Sequence, residues 1–176
     1  MKSDIVYIDN HEKGFDDALE ETRKVAVYKA FSPRATIQLQ MLTEEMLSMA
    51  RSITGELNAS FWIECEGSTA SLHMATKTVM DRQKRDLLIA SATSRSNEKA
   101  TTFLGKVRDF FENAMLSDPE RNEPDMDLLN DLPHGIFGDP EWDGYERSIL
   151  RKLADDIKIG IDGGQVEMTV SKRFEE

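Results

Sequence analysis

The sequence predicts an α+β protein, a two-layer sandwich in which helices cover one face of a mixed, mostly antiparallel sheet. Two observations lead to this class. Residues 61–78 and 157–170 each contain two apolar runs of strand type joined by a glycine-containing turn, which is typical of an antiparallel hairpin. Other stretches repeat apolar residues every three or four positions, which is typical of helices with one buried face. Helices grouped beside hairpins favour a two-layer arrangement.

Residues 32–54 carry the central helical pattern. Ser32 and Pro33 fit an N-cap followed by a proline at the first helical position, where its missing N–H costs nothing. The spacing of the apolar residues predicts a long helix over residues 33–53. Its expected buried face consists of Ile37, Met41, Leu42, Met46, Met49, Ala50 and Ile53. Glu44 and Glu45 lie at the centre of this helix, and a glutamate beside an apolar stripe usually marks its solvated edge.

The remaining elements follow in chain order. A short strand is predicted at residues 5–8 and a helix at residues 15–30, which must end before Pro33. After a break at residues 55–58 the first hairpin begins. The later elements are helices at 80–92, 97–115 and 145–156, and then the second hairpin. The predicted order is therefore β, α, α, β, β, α, α, loop, α, β, β.

Length and charge limit the function classes. A chain of 176 residues is expected to form a single domain over residues 1–176. It has no apolar run of the ~20 residues that a membrane span needs and no signal-peptide pattern at its start, so a cytoplasmic location is expected. The net charge of −11 disfavours binding to nucleic acid or to anionic membranes. A basic protein partner would be attracted by the same charge.

Residues 116–143 differ from the rest of the chain in composition. They are strongly acidic, with Arg121 as their one basic side chain, and they contain every proline except Pro33. Because structure is predicted to resume directly afterwards, this stretch is interpreted as a long irregular excursion within the domain. Its composition also predicts that it is the most mobile part of the chain.

Metal and thiol chemistry have weak support in the sequence. His11, His73 and His134 are not at metal-ligand spacing, so each is interpreted as an ordinary surface or strand histidine. Cys65 lies in an apolar run and is predicted to be a buried, inert thiol. No nucleophile motif of a hydrolase is present in the sequence.

Two stretches resemble a known family. The segment LTEEMLSMARSI and the ending SILRKLADDIKIGIDGGQVEMTVSKRF resemble the Bergerat-type (GHKL) ATP-binding fold of histidine kinases, and most closely the anti-sigma-factor serine kinases. In that family the last strand closes in a Lys-Arg pair, as Lys172 and Arg173 do here. The resemblance covers nearly the whole chain outside residues 116–144. It implies a histidine-kinase-like fold with a site for ATP and Mg²⁺.

The family's nucleotide motifs are altered in this chain. In the family motif Glu-x-x-x-Asn the glutamate acts as a base or orients water, and the asparagine holds Mg²⁺ on the phosphates. Glu45 matches the glutamate, but Met49 occupies the asparagine position. Thioether sulfur is a poor ligand for Mg²⁺. The adenine-binding motif Asp-x-Gly-x-Gly falls on a stretch without glycine, with Thr76 and Lys77 at the nucleotide-contacting positions, and the glycine-rich lid is also missing. The resemblance therefore implies a degenerate site in which ATP and Mg²⁺ are disfavoured.

Two functional hypotheses follow from this resemblance. In the first, the chain is a regulatory interaction module that binds a protein partner such as a sigma factor or a signalling protein; a homodimer also stays open. In the second, it is an active ATP-dependent serine kinase with an altered nucleotide site, in which Glu45 is the base. The loss of three nucleotide-contacting elements favours the first hypothesis.

Overall fold

The computed structural model describes residues 1–9, 12–54, 58–100 and 149–174. Several predicted features lie wholly or partly outside these ranges: the acidic excursion at residues 116–143, most of the helix at 97–115, and the start of the helix at 145–156. Within the described residues, no helix combines the length and the apolar character that crossing a membrane requires.

A single five-stranded sheet lies at the centre of the described structure. Its strands are β1 (Val6–Ile8), β2 (Ala59–Glu66), β3 (Thr69–Lys77), β4 (Asp156–Asp162) and β5 (Gln165–Arg173). Their spatial order is β1-β2-β3-β5-β4, so both predicted hairpins lie in one sheet, as expected. The prediction of a mixed sheet is wrong. Every pairing between the described strands is antiparallel, and the one parallel contact among the described residues is an isolated bridge between Asn97 and Ile159.

Glycines close both hairpins. Gly67 and Gly163 have φ angles of 56° and 58°, in the left-handed region that glycine enters without steric cost. At Gly164 a side chain is excluded by space, because an added Cβ would lie 2.6 Å from the carbonyl oxygen of Thr78. The N–H of Thr78 donates to the Gly164 carbonyl at 2.9 Å. The Gly-Gly turn therefore reverses the chain and also lets the residue after β3, Thr78, approach the turn closely.

Helices cover one face of the sheet. The helices in the described part of the chain are α1 (Glu12–Tyr28), α2 (Pro33–Thr54), α3 (Arg82–Ser91) and α4 (Ile149–Leu153). Side chains along β2, β3 and β5 alternate between buried and more exposed, so that one face of these strands belongs to the core beneath the helices. This α+β arrangement agrees with the two-layer sandwich that the sequence predicts.

The opposite sheet face carries polar side chains, and we call it the open face. It consists of Ser60, Trp62, Glu64 and Glu66 of β2; Thr69, Ser71, His73, Ala75 and Lys77 of β3; and Gln165, Glu167, Thr169, Ser171 and Arg173 of β5. Cys65 points to the other face, where it is buried, and burial raises the pKa of its thiol. The predicted burial of Cys65 is therefore confirmed, and the raised pKa disfavours the reactive thiolate.

Helix α2 begins where the sequence predicts, but part of its buried face differs. The Ala35 N–H donates to the Ser32 side-chain oxygen at 3.2 Å, which confirms the N-cap. Leu39 and Leu47, which are absent from the predicted stripe, are fully buried. The predicted burial of Ile37 and Met41 is wrong, because these side chains are 57% and 37% exposed. The first half of α2 carries apolar residues on more than one side, and contact with the sheet and with α1 decides which side is buried.

Helices α1 and α2 form a tight pair. Ala30 has a φ of 54° just beyond α1, and the Phe31 N–H donates to the Ala26 carbonyl at 2.9 Å, which is the pattern of a Schellman C-cap. Between the two helices, the hydroxyls of Thr22 and Thr43 are buried and lie 3.0 Å apart. Each hydroxyl also lies within bonding distance of a carbonyl one turn back in its own helix, that of Ala18 for Thr22 and that of Leu39 for Thr43, so neither is left unpaired where that would be costly.

The outer edge of β4 is closed by residues 93–97. The Ile157 N–H donates to the Thr93 hydroxyl at 2.7 Å, and the Ile157 carbonyl accepts from the Thr93 N–H at 2.8 Å. The side chain of Asn97 serves Ile161 in the same way, since its Oδ1 accepts from the Ile161 N–H at 2.8 Å and its Nδ2 donates to the Ile161 carbonyl at 2.9 Å. These bonds occupy backbone groups that an edge strand would otherwise offer to another chain.

We predict that Asn97→Ala destabilises the protein by ~1–3 kcal/mol, because it leaves the N–H and carbonyl of Ile161 without these partners. Urea unfolding followed by circular dichroism measures this loss. Ser96→Ala is the matched control, since Ser96 is exposed, and it should change stability by less than ~0.5 kcal/mol. Equal effects of the two substitutions would show that Asn97 does not hold the β4 edge.

Candidate functional site

The two predicted site residues of α2 lie one turn apart in different surroundings. Glu45 is half-buried at the edge of the helix's buried face. Met49 is only 8% exposed and belongs to the core cluster together with Met46 and Ile53. A thioether in such a position contributes apolar packing. It also offers no oxygen to Mg²⁺, which prefers oxygen ligands.

The two predicted site residues of β3 point to opposite faces of the sheet. Thr76 is buried on the helix-covered face, and its hydroxyl donates to the carbonyl of Asn58 at 2.7 Å. Lys77 is the next residue, so its exposed side chain belongs to the open face. Thr76 therefore shares a sheet face with the core around Met49, and Lys77 does not.

The first carboxylate after β3 has a structural partner. Asp81 is the N-cap of α3, and its Oδ1 accepts the Lys84 N–H at 2.8 Å. The Lys84 side chain in turn donates to the carbonyl of Val79 at 3.2 Å. Asp81 thus begins a helix, as N-cap aspartates commonly do, and the segment between β3 and α3 is held by these local bonds.

The Lys-Arg pair at the end of β5 fastens the sheet to the turn after α4. Lys172 Nζ donates to Asp155 Oδ1 at 2.6 Å, and the Arg173 backbone N–H donates to Asp155 Oδ2 at 2.7 Å. Partial burial acts to raise the pKa of Asp155, but the hydrogen bonds from Arg173 and Lys172 outweigh it and hold that pKa below its ordinary value of 3.8. The pair therefore has a structural role that the sequence resemblance alone did not reveal.

A cluster on the open face was missed by the sequence reasoning. We call it the Trp62–His73 cluster, and it consists of Lys2, Trp62, Glu64, His73 and Thr169. The rings of Trp62 and His73 are stacked, with centroids 5.1 Å apart and planes at 6°. Lys2 Nζ lies 4.9 Å from the centroid of the Trp62 ring and 3.1 Å from Glu64 Oε1. Trp62 Nε1 donates to the same carboxylate oxygen at 3.1 Å.

The surroundings lower the pKa values of both His73 and Glu64, for different reasons. Burial lowers the pKa of His73, and Lys2 adds to this effect while the negative charge of Glu64 opposes it. Hydrogen bonds from Lys2 and Trp62 lower the pKa of Glu64. At neutral pH the cluster therefore holds an ionised Glu64 beside a neutral imidazole, a pairing that leaves a nitrogen lone pair available for binding.

A groove of about 780 Å³ runs beside the cluster on the open face. It is lined by Met1, Lys2, Glu64, Cys65, Glu66, Thr69, Ser71 and His73. One signal for this site was present in the sequence: a two-residue turn at Gly67 and Ser68 places Trp62 directly opposite His73, as the observed register has it. Thr169 joins the cluster only because β3 pairs with β5, and local sequence patterns do not specify that pairing.

Comparison with known proteins gives no match for this chain among protein-family models, curated proteins or solved structures.

We predict that Met49→Asn lowers the free energy of unfolding by at least about 2 kcal/mol, because it removes core packing and buries an amide. Met49→Leu is the control, and it should cost less than about 1.5 kcal/mol because it keeps the apolar volume. Guanidinium unfolding of the three proteins gives both values. A Met49→Asn protein as stable as the parent would mean that position 49 faces an open pocket.

We also predict that Asp155→Asn removes a pH-dependent part of the stability. Because the folded-state pKa of Asp155 lies below 3.8, the ionised carboxylate stabilises the fold above that pH, and this stabilisation is lost as the pH falls through the folded-state pKa. At neutral pH the substitution should cost ~1 kcal/mol or less, since the pair is partly exposed. Unfolding curves at pH 7 and at pH 3 or lower test this. A difference between the two proteins that grows on acidification would contradict it.

Proposed function

We propose that this chain is a Bergerat-fold protein with a degenerate nucleotide site that acts as a regulatory protein-interaction module of the anti-sigma-factor type. The observation that carries the proposal is the burial of Met49 in the core. In the family that the sequence resembles, this position holds the asparagine that binds Mg²⁺. A packed methionine there removes the oxygen ligand and fills the space with apolar atoms.

The surroundings of Thr76 support the same proposal. The family places an aspartate at this position to accept a hydrogen bond from the adenine amine. Here Thr76 supplies a neutral, buried hydroxyl in place of that carboxylate, and the hydroxyl donates to the carbonyl of Asn58 at 2.7 Å. Loss of the carboxylate acceptor would cost ~1–3 kcal/mol of binding free energy if the adenine amine were left poorly paired. Together with the missing Mg²⁺ ligand, this cost weakens ATP binding at two points.

Exposed apolar side chains on the first two helices support a role in binding a protein. Ile37 and Met41 lie one turn apart on the exposed side of α2, and Val27 and Tyr28 are exposed at the end of α1. A contiguous patch of such residues would be typical of a surface that contacts another protein. The charge of −11 on the whole chain favours a basic partner, which in the regulatory interpretation is a sigma factor or a signalling protein.

The alternative function is that of an ATP-dependent serine kinase with an altered nucleotide site. The half-buried position of Glu45, one turn before Met49, favours it. A partly desolvated glutamate on this helix is a suitable base for a serine hydroxyl. The kinase would require ATP to bind without the family's Mg²⁺ ligand, and this requirement separates the two functions experimentally.

Isothermal titration of the protein with Mg-ATP distinguishes the two functions. We predict no tight binding, because a combined loss of ~4 kcal/mol would weaken a micromolar site to about millimolar. A dissociation constant in the low micromolar range would contradict the degenerate site. If Glu45→Ala abolished such binding while the neighbouring, exposed Glu44→Ala retained it, the kinase function would be favoured.

A further inference from the structure

One buried nitrogen in the Trp62–His73 cluster has no hydrogen-bond partner. His73 Nε2 is shielded from solvent, and no donor or acceptor among the described residues bonds to it. The other ring nitrogen, Nδ1, lies 3.1 Å from the hydroxyl of Thr169. A buried polar atom without a partner costs ~1–3 kcal/mol and requires a physical explanation.

A carboxylate oxygen lies close to this nitrogen. Glu64 Oε2 lies 3.8 Å from His73 Nε2, which is too far for a hydrogen bond. The other oxygen, Oε1, is held by Lys2 at 3.1 Å and by Trp62 Nε1 at 3.1 Å. The carboxylate is thus fixed with one oxygen occupied and the other facing the imidazole.

We propose that His73 Nε2 and Glu64 Oε2 are the two protein ligands of a site for a divalent transition-metal ion, with zinc as the favoured metal. Zinc binds imidazole nitrogen and carboxylate oxygen at ~2.0–2.2 Å. Two ligands of a tetrahedral ion at this bond length lie ~3.4 Å apart, so the observed separation of 3.8 Å has to close by only ~0.4 Å when the ion binds. Bound metal would use the lone pair of Nε2, which explains why this nitrogen has no partner within the protein.

The groups around the two ligands support metal binding. Ligating histidines usually donate their second ring N–H to an oxygen, and the Thr169 hydroxyl is in place to accept from Nδ1. Stacking on Trp62 at 6° fixes the plane of the imidazole. The salt bridge from Lys2 and the hydrogen bond from Trp62 fix the position of the Glu64 carboxylate. The positive charge of Lys2 also opposes the approach of a cation.

The remaining coordination positions face the groove. Among the described residues, no group of three or more His, Cys, Asp and Glu side chains is arranged to hold a metal, so water must complete the coordination. Water would reach the metal past Glu64, whose side chain is 47% exposed, while His73 Nε2 itself stays shielded, so the metal would be exchangeable, in contrast to a closed structural zinc site. Mg²⁺ and Ca²⁺ prefer ligand sets made of oxygen and are not expected to bind here.

Zinc titration of the full chain tests the proposal, with calorimetry for affinity and NMR of the histidine rings for location. We expect Zn²⁺ to shift the ring signals of His73, which the spectrum of His73→Gln identifies. His73→Gln and Glu64→Gln should each weaken zinc binding at the site by more than tenfold. Thr169→Val should weaken it about 10- to 100-fold, as loss of a supporting hydrogen bond does at metal sites.

Ser171→Ala is the matched control, because Ser171 follows Thr169 on the same face of β5 and bonds to Ser71 instead of His73. It should leave zinc affinity unchanged. The proposal is overturned if zinc leaves the His73 ring signals unshifted, if His73→Gln binds zinc as the parent does, or if Mg²⁺ shifts the same signals. The NMR arm uses the unmodified protein, so it decides the question even if a variant fails to fold.

Discussion

The pairing of β3 with β5 is the interaction on which the rest of the described structure depends. The two strands are nine residues long each and pair from Thr69 with Arg173 to Lys77 with Gln165. An isolated two-stranded hairpin is marginally stable in water, so each hairpin gains stability from the other. The same register fixes which residues of the two hairpins become neighbours. It places Leu72 beside Val170 in the core and His73 beside Thr169 on the open face.

Local signals in the sequence were sufficient to predict the two hairpins and the ends of α2. Alternating side chains and left-handed glycines specify a hairpin within about fifteen residues, and an N-cap such as Ser32 marks a helix start directly. Helical periodicity was insufficient to assign Ile37 and Met41, because an apolar residue on the exposed side of α2 has the same spacing as one on the buried side. The direction of strand pairing depends on contacts between distant segments, which explains why the mixed sheet was expected.

The candidate site was harder to predict than the fold for the same reason. Met49 and Thr76 were identified as altered motif positions, but their burial and the bond from Thr76 to Asn58 depend on tertiary packing. His73 was interpreted as an ordinary surface or strand histidine because His11, His73 and His134 are not at metal-ligand spacing from one another. Its chemical partners, Glu64 and Thr169, are brought to it by two different strand pairings. Spacing along the chain reveals ligands on one helix or turn, and it does not reveal ligands assembled across a sheet.

The two proposed sites lie on opposite faces of one sheet, and this separation limits how they could influence each other. Side chains of adjacent strand residues point to different faces, so a change at His73 does not alter the packing around Met49 directly. One contact of the proposed metal site with the rest of the chain is the N-terminal segment, residues 1–3. Its Ser3 N–H donates to the Ile63 carbonyl at 2.9 Å, and Lys2 is paired with Glu64. A cation on Glu64 would compete with Lys2 for the same negative charge and weaken that ion pair. The effect of a bound metal would therefore reach the N-terminal segment and β2 before it reached the helices.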